Sequence, residues 1–130
     1  MKTKYKIGAA IIGSFVLGVG ASSILHAQAK PPAFVWAEVE IKDRLGYFEN
    51  FAGPALVNIK ESGGKYLADS LHNDHPNVIG LNGPPPPDGV TLLQFADMEA
   101  VKAFFAKMGP LQADVGSKYA NFHVVAIEGN

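Results

Sequence analysis

Cysteine is absent from this 130-residue chain. That absence excludes disulfide bonds, thiolate zinc sites and thiol chemistry, so packing within the chain or against a partner subunit must hold the fold together. Charged residues make up only 18% of the sequence, and the formal net charge is −1. Nucleic-acid binding relies on Lys and Arg to neutralise phosphates, so we expect no nucleic-acid partner.

Recognisable cofactor and nucleophile motifs are also missing. The sequence contains no phosphate-binding loop, no dinucleotide fingerprint and no nucleophile elbow. It has no twin-arginine pair, and no cysteine follows the amino-terminal apolar run, which excludes a lipid-anchored lipoprotein. We therefore expect no cofactor.

The first 29 residues have the three zones of a secretory signal. Lys2, Lys4 and Lys6 precede an apolar run over residues 7–25, and the A-x-A cleavage pattern of residues 27–29 follows. The run approaches the ~20 residues that a spanning helix needs, so an uncleaved anchor is the alternative. We expect a periplasmic or secreted protein that contacts a membrane only through residues 1–29, and only if they are retained.

Residues 30–130 have the length of one domain, and they carry all 12 acidic side chains. Alternation predicts a strand over residues 34–41, with Trp36 and Glu38 on one face and Val35 and Val39 on the other. Asp43 is expected to cap a helix that runs to about Ser62 and is kinked at Pro54. Further elements are predicted as strands over residues 65–70, 90–95 and 122–127, an optional strand over 78–81, and a helix over 98–108 that is interrupted at Gly109-Pro110, with Val101, Phe104 and Phe105 facing inward.

This order of elements predicts an α+β, ferredoxin-like βαββαβ domain after an N-terminal signal helix. An antiparallel sheet would carry both helices on one face. The opposite face would expose Trp36 and Leu92 and would need a cover. A second copy supplies that cover most simply, so we expect a twofold homodimer.

Several stretches in order resemble domain-of-unknown-function family 1330, a branch of the dimeric α+β barrel superfamily, and the likeness extends over residues 32–129. The resemblance implies a ferredoxin-like fold and a dimer that closes two sheets into a barrel. It implies no agreed reaction, because the superfamily includes cofactor-free monooxygenases, heme-handling enzymes, isomerases and decarboxylases. The stretches are Phe34–Ile41, Leu45–Phe48, Glu61–Ala68, Val90–Phe95, Asp97–Phe104 and Lys118–Gly129.

Two groups of polar residues are candidates for a site. Glu38 and Gln94 share the Trp36 face by alternation, and His123 joins them if its register allows. A carboxylate buried there would have a raised pKa and act as an acid or base; the alternative is polar pairing across a dimer. The second group, His72, Asp74 and His75, has metal-ligand chemistry, but its loop position favours solvated turn residues, and we expect no metal site.

Three functions stay open. The first is binding of a small organic molecule, with Trp36, Gln94 and Tyr47 as ligand contacts, although Tyr47 also suits a core or interface ring. The second is a cofactor-independent monooxygenase- or isomerase-like enzyme with Glu38 or His123 as its catalytic base. The third is a structural dimer without a ligand.

Overall fold

Four strands and two helical regions make up the domain in the computed structural model, which describes residues 30–71 and 78–130. Pro31–Asn130 is one compact unit. Helix α1 has three consecutive parts: α-helical Arg44–Gly46, π-helical Tyr47–Ala52 and α-helical Gly53–Glu61. The other elements are β1 (Ala33–Ile41), β2 (Lys65–Asp69), β3 (Gly89–Phe95), α2 (Met98–Asp114), the 3-10 turn Gly116–Lys118 and β4 (Ala120–Glu128).

The four strands form one antiparallel sheet in the order β2-β3-β1-β4. The predicted α+β class and the βαββαβ order of elements are confirmed. The predicted signal helix lies outside the described residues. Val78–Leu81, the optional extra strand, is not in a strand.

Both helices pack on one face of the sheet. Buried side chains of β1 and β3 form a single core with those of α1 and α2, in which the ring centroids of Phe95 and Phe104 lie 4.9 Å apart. The alternation predicted for β1 is confirmed, since Val35 and Val39 are buried while Trp36 is exposed. Phe105 was expected to face inward, but it is 42% exposed because α2 directs Phe104 and Met108 to the sheet instead.

The helix boundaries follow local signals of the sequence, and the predicted cap at Asp43 is confirmed. The Asp43 carboxylate accepts a hydrogen bond from the Gly46 amide at 3.0 Å, and the Asp97 carboxylate accepts one from the Ala100 amide at 2.8 Å. Gly63 ends α1 with φ of 77°, a left-handed conformation that glycine adopts without a steric penalty.

The chain stays helical through both prolines. Pro54 directly follows the π-helical part of α1, which interrupts the α-helical hydrogen-bond pattern next to the proline. Pro110 does not interrupt α2, which continues through it to Asp114. Packing of the buried face of α2 on the core outweighs the local preference of Gly109-Pro110 to end a helix. No helix within residues 30–71 and 78–130 is long and apolar enough to cross a membrane.

Candidate functional site

The open face of the sheet brings three of the predicted site residues together. In antiparallel register, Glu38 lies opposite His123, and Trp36 lies two residues before Glu38 on the same face. His123 Nδ1 is 3.1 Å from Glu38 Oε2, and the Trp36 indole N–H donates to Glu38 Oε1 at 3.3 Å. The carboxylate of Glu38 is therefore held by both neighbours.

Glu38 lacks the burial that a raised pKa requires. Its side chain is 37% exposed, and the hydrogen bonds from His123 and Trp36 lower the pKa of Glu38 below its usual value. A carboxylate with a lowered pKa is a weak proton acceptor at neutral pH. The arrangement corresponds to the polar pairing that the sequence left as the alternative, here within one chain.

The two other predicted ligand contacts do not join this group. Gln94 pairs with Phe34, which is four residues from Glu38, a separation of about 13 Å along the strand. Tyr47 lies on the opposite side of the sheet, in the core beneath the helices, where it is 4% exposed. The sheet therefore separates Tyr47 from Glu38 and His123.

The tetraproline segment lies beside the Glu38 and His123 pair. Pro84–Pro87 forms one wall of an open groove whose other residues include Glu38, Glu40, Asn121 and His123. Asp88 fixes the end of the segment, because its carboxylate accepts a hydrogen bond from the Ile41 amide at 2.6 Å. Asp88 therefore anchors the segment to β1.

An apolar cavity of about 70 Å³ lies between the sheet and the two helices. Helix α1 contributes Tyr47 and Phe51, α2 contributes Met108 and Gln112, and the strands contribute residues of their core face. Because a π turn closes from residue i to i+5, Tyr47, Phe51 and Ala52 all reach the cavity wall. The full lining is Val35, Ala37, Val39, Tyr47, Phe51, Ala52, Ala55, Leu56, Ile59, Tyr66, Leu71, Thr91, Leu93, Phe104, Met108, Gln112, Phe122 and Val124.

Polar groups of this cavity are gathered near Tyr47. Burial raises the pKa of Tyr47, and the neighbouring Tyr66 and Asp69 raise it further. The pKa of Tyr66 is raised by burial and by Asp69. The Thr91 hydroxyl donates to Asp69 Oδ1 at 3.0 Å. Both tyrosines therefore remain protonated at neutral pH.

Sequence reasoning selected Tyr47 but missed Tyr66, Thr91 and Gln112. The sequence does contain a signal for two of them, because alternation along a strand shows which of its side chains face the core. Thr91 alternates with Leu92 and so belongs to the core face of β3, and Tyr66 pairs with Leu93 on that face. Polar residues on a core face indicate a cavity, whereas the predicted site residues Trp36, Glu38, Gln94 and His123 share the open face.

Metal ligands are not assembled in the part of the chain that the structure describes. No group of three or more His, Asp or Glu side chains suited to an ion is present among these residues. The predicted alternative site at His72, Asp74 and His75 lies outside them.

Comparison with known proteins gives a fold and no activity. No family model and no curated protein matches the chain. The chain is similar to the crystal structure of a protein of unknown function from Rhodopseudomonas palustris, a structural genomics target, with a TM-score of 0.54 and 10% sequence identity. The match covers 85% of this chain and 92% of the other. At this identity the similarity shows a shared fold only.

Proposed function

We propose that this protein binds a small organic molecule in the cavity between the sheet and the helices. The observation that carries the proposal is a cavity of about 70 Å³ whose walls are mostly apolar but include Tyr47, Tyr66, Thr91 and Gln112. Natural cores leave few voids larger than a water molecule. Ligand sites combine such apolar walls with a small number of polar groups that orient the ligand.

A cavity-filling substitution tests this proposal. Ala55 is buried and lines the cavity, so Ala55→Leu should occupy it. A screen of small organic molecules by ligand-observed NMR should find compounds that bind the wild type and fail to bind Ala55→Leu. Ala106→Leu, on the exposed side of α2, is the matched control and should bind normally. Compounds that bind all three proteins equally would place the site elsewhere.

Binding is preferred to catalysis by Glu38 or His123, the enzyme alternative from the sequence. Both residues lie on the open face of the sheet, away from the cavity, and they are hydrogen-bonded to each other. A catalytic base needs a water-excluding pocket around it, and His123 is exposed. Retained activity in Glu38→Gln, for any reaction found, would support the preference for the cavity.

A homodimer that covers the open face is part of the same proposal. Trp36 pairs directly with Leu92 and Val125, and Ile127, paired with Phe34, adds a side chain that is 64% exposed. A second sheet packed face to face would bury this row and form the ferredoxin-like α+β barrel that the resemblance to family 1330 implies. We propose distant membership of that family on the same grounds.

Light scattering with two charge substitutions tests the dimer. The chain should elute at about twice its single-chain mass, and Val125→Glu should produce monomers because it places a charge in the middle of the proposed interface. Leu45→Glu changes a more exposed apolar residue on α1 and should leave the dimer intact. A wild-type monomer, or equal dissociation of both variants, would contradict the proposal.

Export to the periplasm or the exterior completes the proposal and rests on the signal pattern of residues 1–29. N-terminal sequencing of protein recovered from the periplasm should begin at Lys30. A protein that begins at Met1 would instead support the membrane-anchored alternative.

A further inference from the structure

We infer that the cavity between the sheet and the helices takes a small uncharged carbonyl compound whose oxygen accepts a hydrogen bond from the Tyr47 hydroxyl. This inference rests on the proposed binding function and specifies its ligand class. It follows from the hydrogen-bonding state of the polar groups in the cavity, from the charge of its walls and from its size.

The Tyr47 hydroxyl is a hydrogen-bond donor without an acceptor among residues 30–71 and 78–130. The side chain is more than nine-tenths buried and forms part of the cavity wall. Burial and the nearby Tyr66 and Asp69 raise its pKa, so the hydroxyl keeps its proton at neutral pH. A ligand that displaces water from such a donor must supply an acceptor or lose affinity.

Tyr66 and Gln112 also line the cavity, but both residues are only half-buried, so Tyr47 is the more enclosed donor. The Thr91 hydroxyl already donates its proton to Asp69. Gln112 lies on the last turn of α2, on the same side of the helix as Met108. An acceptor bound in the cavity is therefore oriented by the Tyr47 hydroxyl.

The charge of the walls selects against anions. None of the described lining residues is Lys, Arg or His, and the nearest charge that affects Tyr47 and Tyr66 is the carboxylate of Asp69. A carboxylate or phosphate ligand would lose its hydration without gaining a cation, which is strongly unfavourable. An uncharged carbonyl oxygen meets the need for an acceptor without that cost.

The size of the cavity restricts the ligand further. An apolar cavity of about 150 Å³ holds benzene, whereas this one measures about 70 Å³ and is partly open. A five-carbon cyclic ketone has as many heavy atoms as benzene, so it fits only with its oxygen toward Tyr47 and the far edge of its ring protruding from the open side of the cavity. Heme and large aromatic acids are excluded by volume.

Three five-carbon rings test the inference on the full chain, and the first two of them have the same shape. Cyclopentanone has the carbonyl, methylenecyclopentane replaces its oxygen with carbon, and cyclopentanecarboxylate carries a negative charge. Binding is followed by amide shifts of Ala55 and Met108 in ¹H–¹⁵N NMR spectra. Cyclopentanone should bind about three- to tenfold more tightly than methylenecyclopentane, the range expected for one hydrogen bond, and the carboxylate should be the weakest of the three.

Removal of the hydroxyl provides the second measurement. Tyr47→Phe should reduce the affinity for cyclopentanone to that of methylenecyclopentane and leave the latter unchanged. Tyr119→Phe is the matched control, since Tyr119 contacts Gly46 but does not line the cavity. If the three rings bind equally, or the carboxylate binds best, the ligand class is wrong while the binding function stands. If none of the three rings shifts the amide signals of Ala55 or Met108, but other compounds from the screen shift them, only the ligand class is wrong. If no compound shifts these signals, both the ligand class and the binding function are wrong.

Discussion

Replacement of Pro110 with alanine should stabilise the protein. Pro110 lies inside α2, four residues before its end, so the helix lacks one backbone amide hydrogen at that point. Proline in a helix interior is about 3 kcal/mol less favourable than alanine. The substitution also relaxes the unfolded chain, which offsets about 0.4–1 kcal/mol of that gain. The expected net increase in the free energy of unfolding is therefore about 2 kcal/mol.

The assay is urea unfolding followed by circular dichroism, with thermal unfolding as a second measure. The midpoint should rise with an unchanged m-value. For a domain of this size a gain of 2 kcal/mol corresponds to a rise in Tm of roughly 8–16 °C. Pro54→Ala is the control, because Pro54 directly follows the π-helical part of α1, where the α-helical hydrogen-bond pattern is already interrupted, and its gain should be smaller than that of Pro110→Ala.

A Pro110→Ala protein that is no more stable than the wild type would refute this reasoning. It would mean that the backbone around Pro110 has already relieved the loss of the hydrogen bond. Met108 and Gln112 flank Pro110 and line the cavity. The adjusted stretch of backbone would therefore be part of the cavity wall.

Three further predictions concern pH and packing. Because the folded state raises the pKa of Tyr47, the free energy of unfolding should fall as pH rises above about 10. In a series of Tm measurements above that pH, Tyr47→Phe should lose less Tm per pH unit than the wild type, and an equal loss in both proteins would contradict the prediction. Because the folded state lowers the pKa of Glu38, the free energy of unfolding should fall as pH drops below the ordinary value of 4.5. Below that pH the Tm of Glu38→Gln should fall less per pH unit than the Tm of the wild type. A Cβ on Gly116 would meet the Phe122 ring at 2.8 Å and the Phe51 ring at 2.9 Å, so Gly116→Ala should lower the free energy of unfolding by about 1–3 kcal/mol, and an unchanged urea midpoint would show that the rings yield freely.

Local signals in the sequence determined the elements and their order. Asp43 and Asp97 cap the helices because a cap depends only on a side chain and the next three amides. Alternation in β1 identified the core face because successive side chains of a strand point to opposite sides. These signals act within a few residues, and a single chain is enough to show them.

The tertiary structure alone decided which polar residues meet. Glu38 meets His123 through the register of β1 with β4, 85 positions apart, whereas Gln94, on the same face, is displaced along the sheet. Tyr47 lines the cavity because the buried side of α1 packs on the sheet, and Pro110 stays helical because α2 packs on the core. Strand register and helix packing depend on the free energy of the whole core, which no short stretch of sequence contains. For that reason the sequence indicated a site on the open face of the sheet, whereas the structure indicates the cavity beneath the helices.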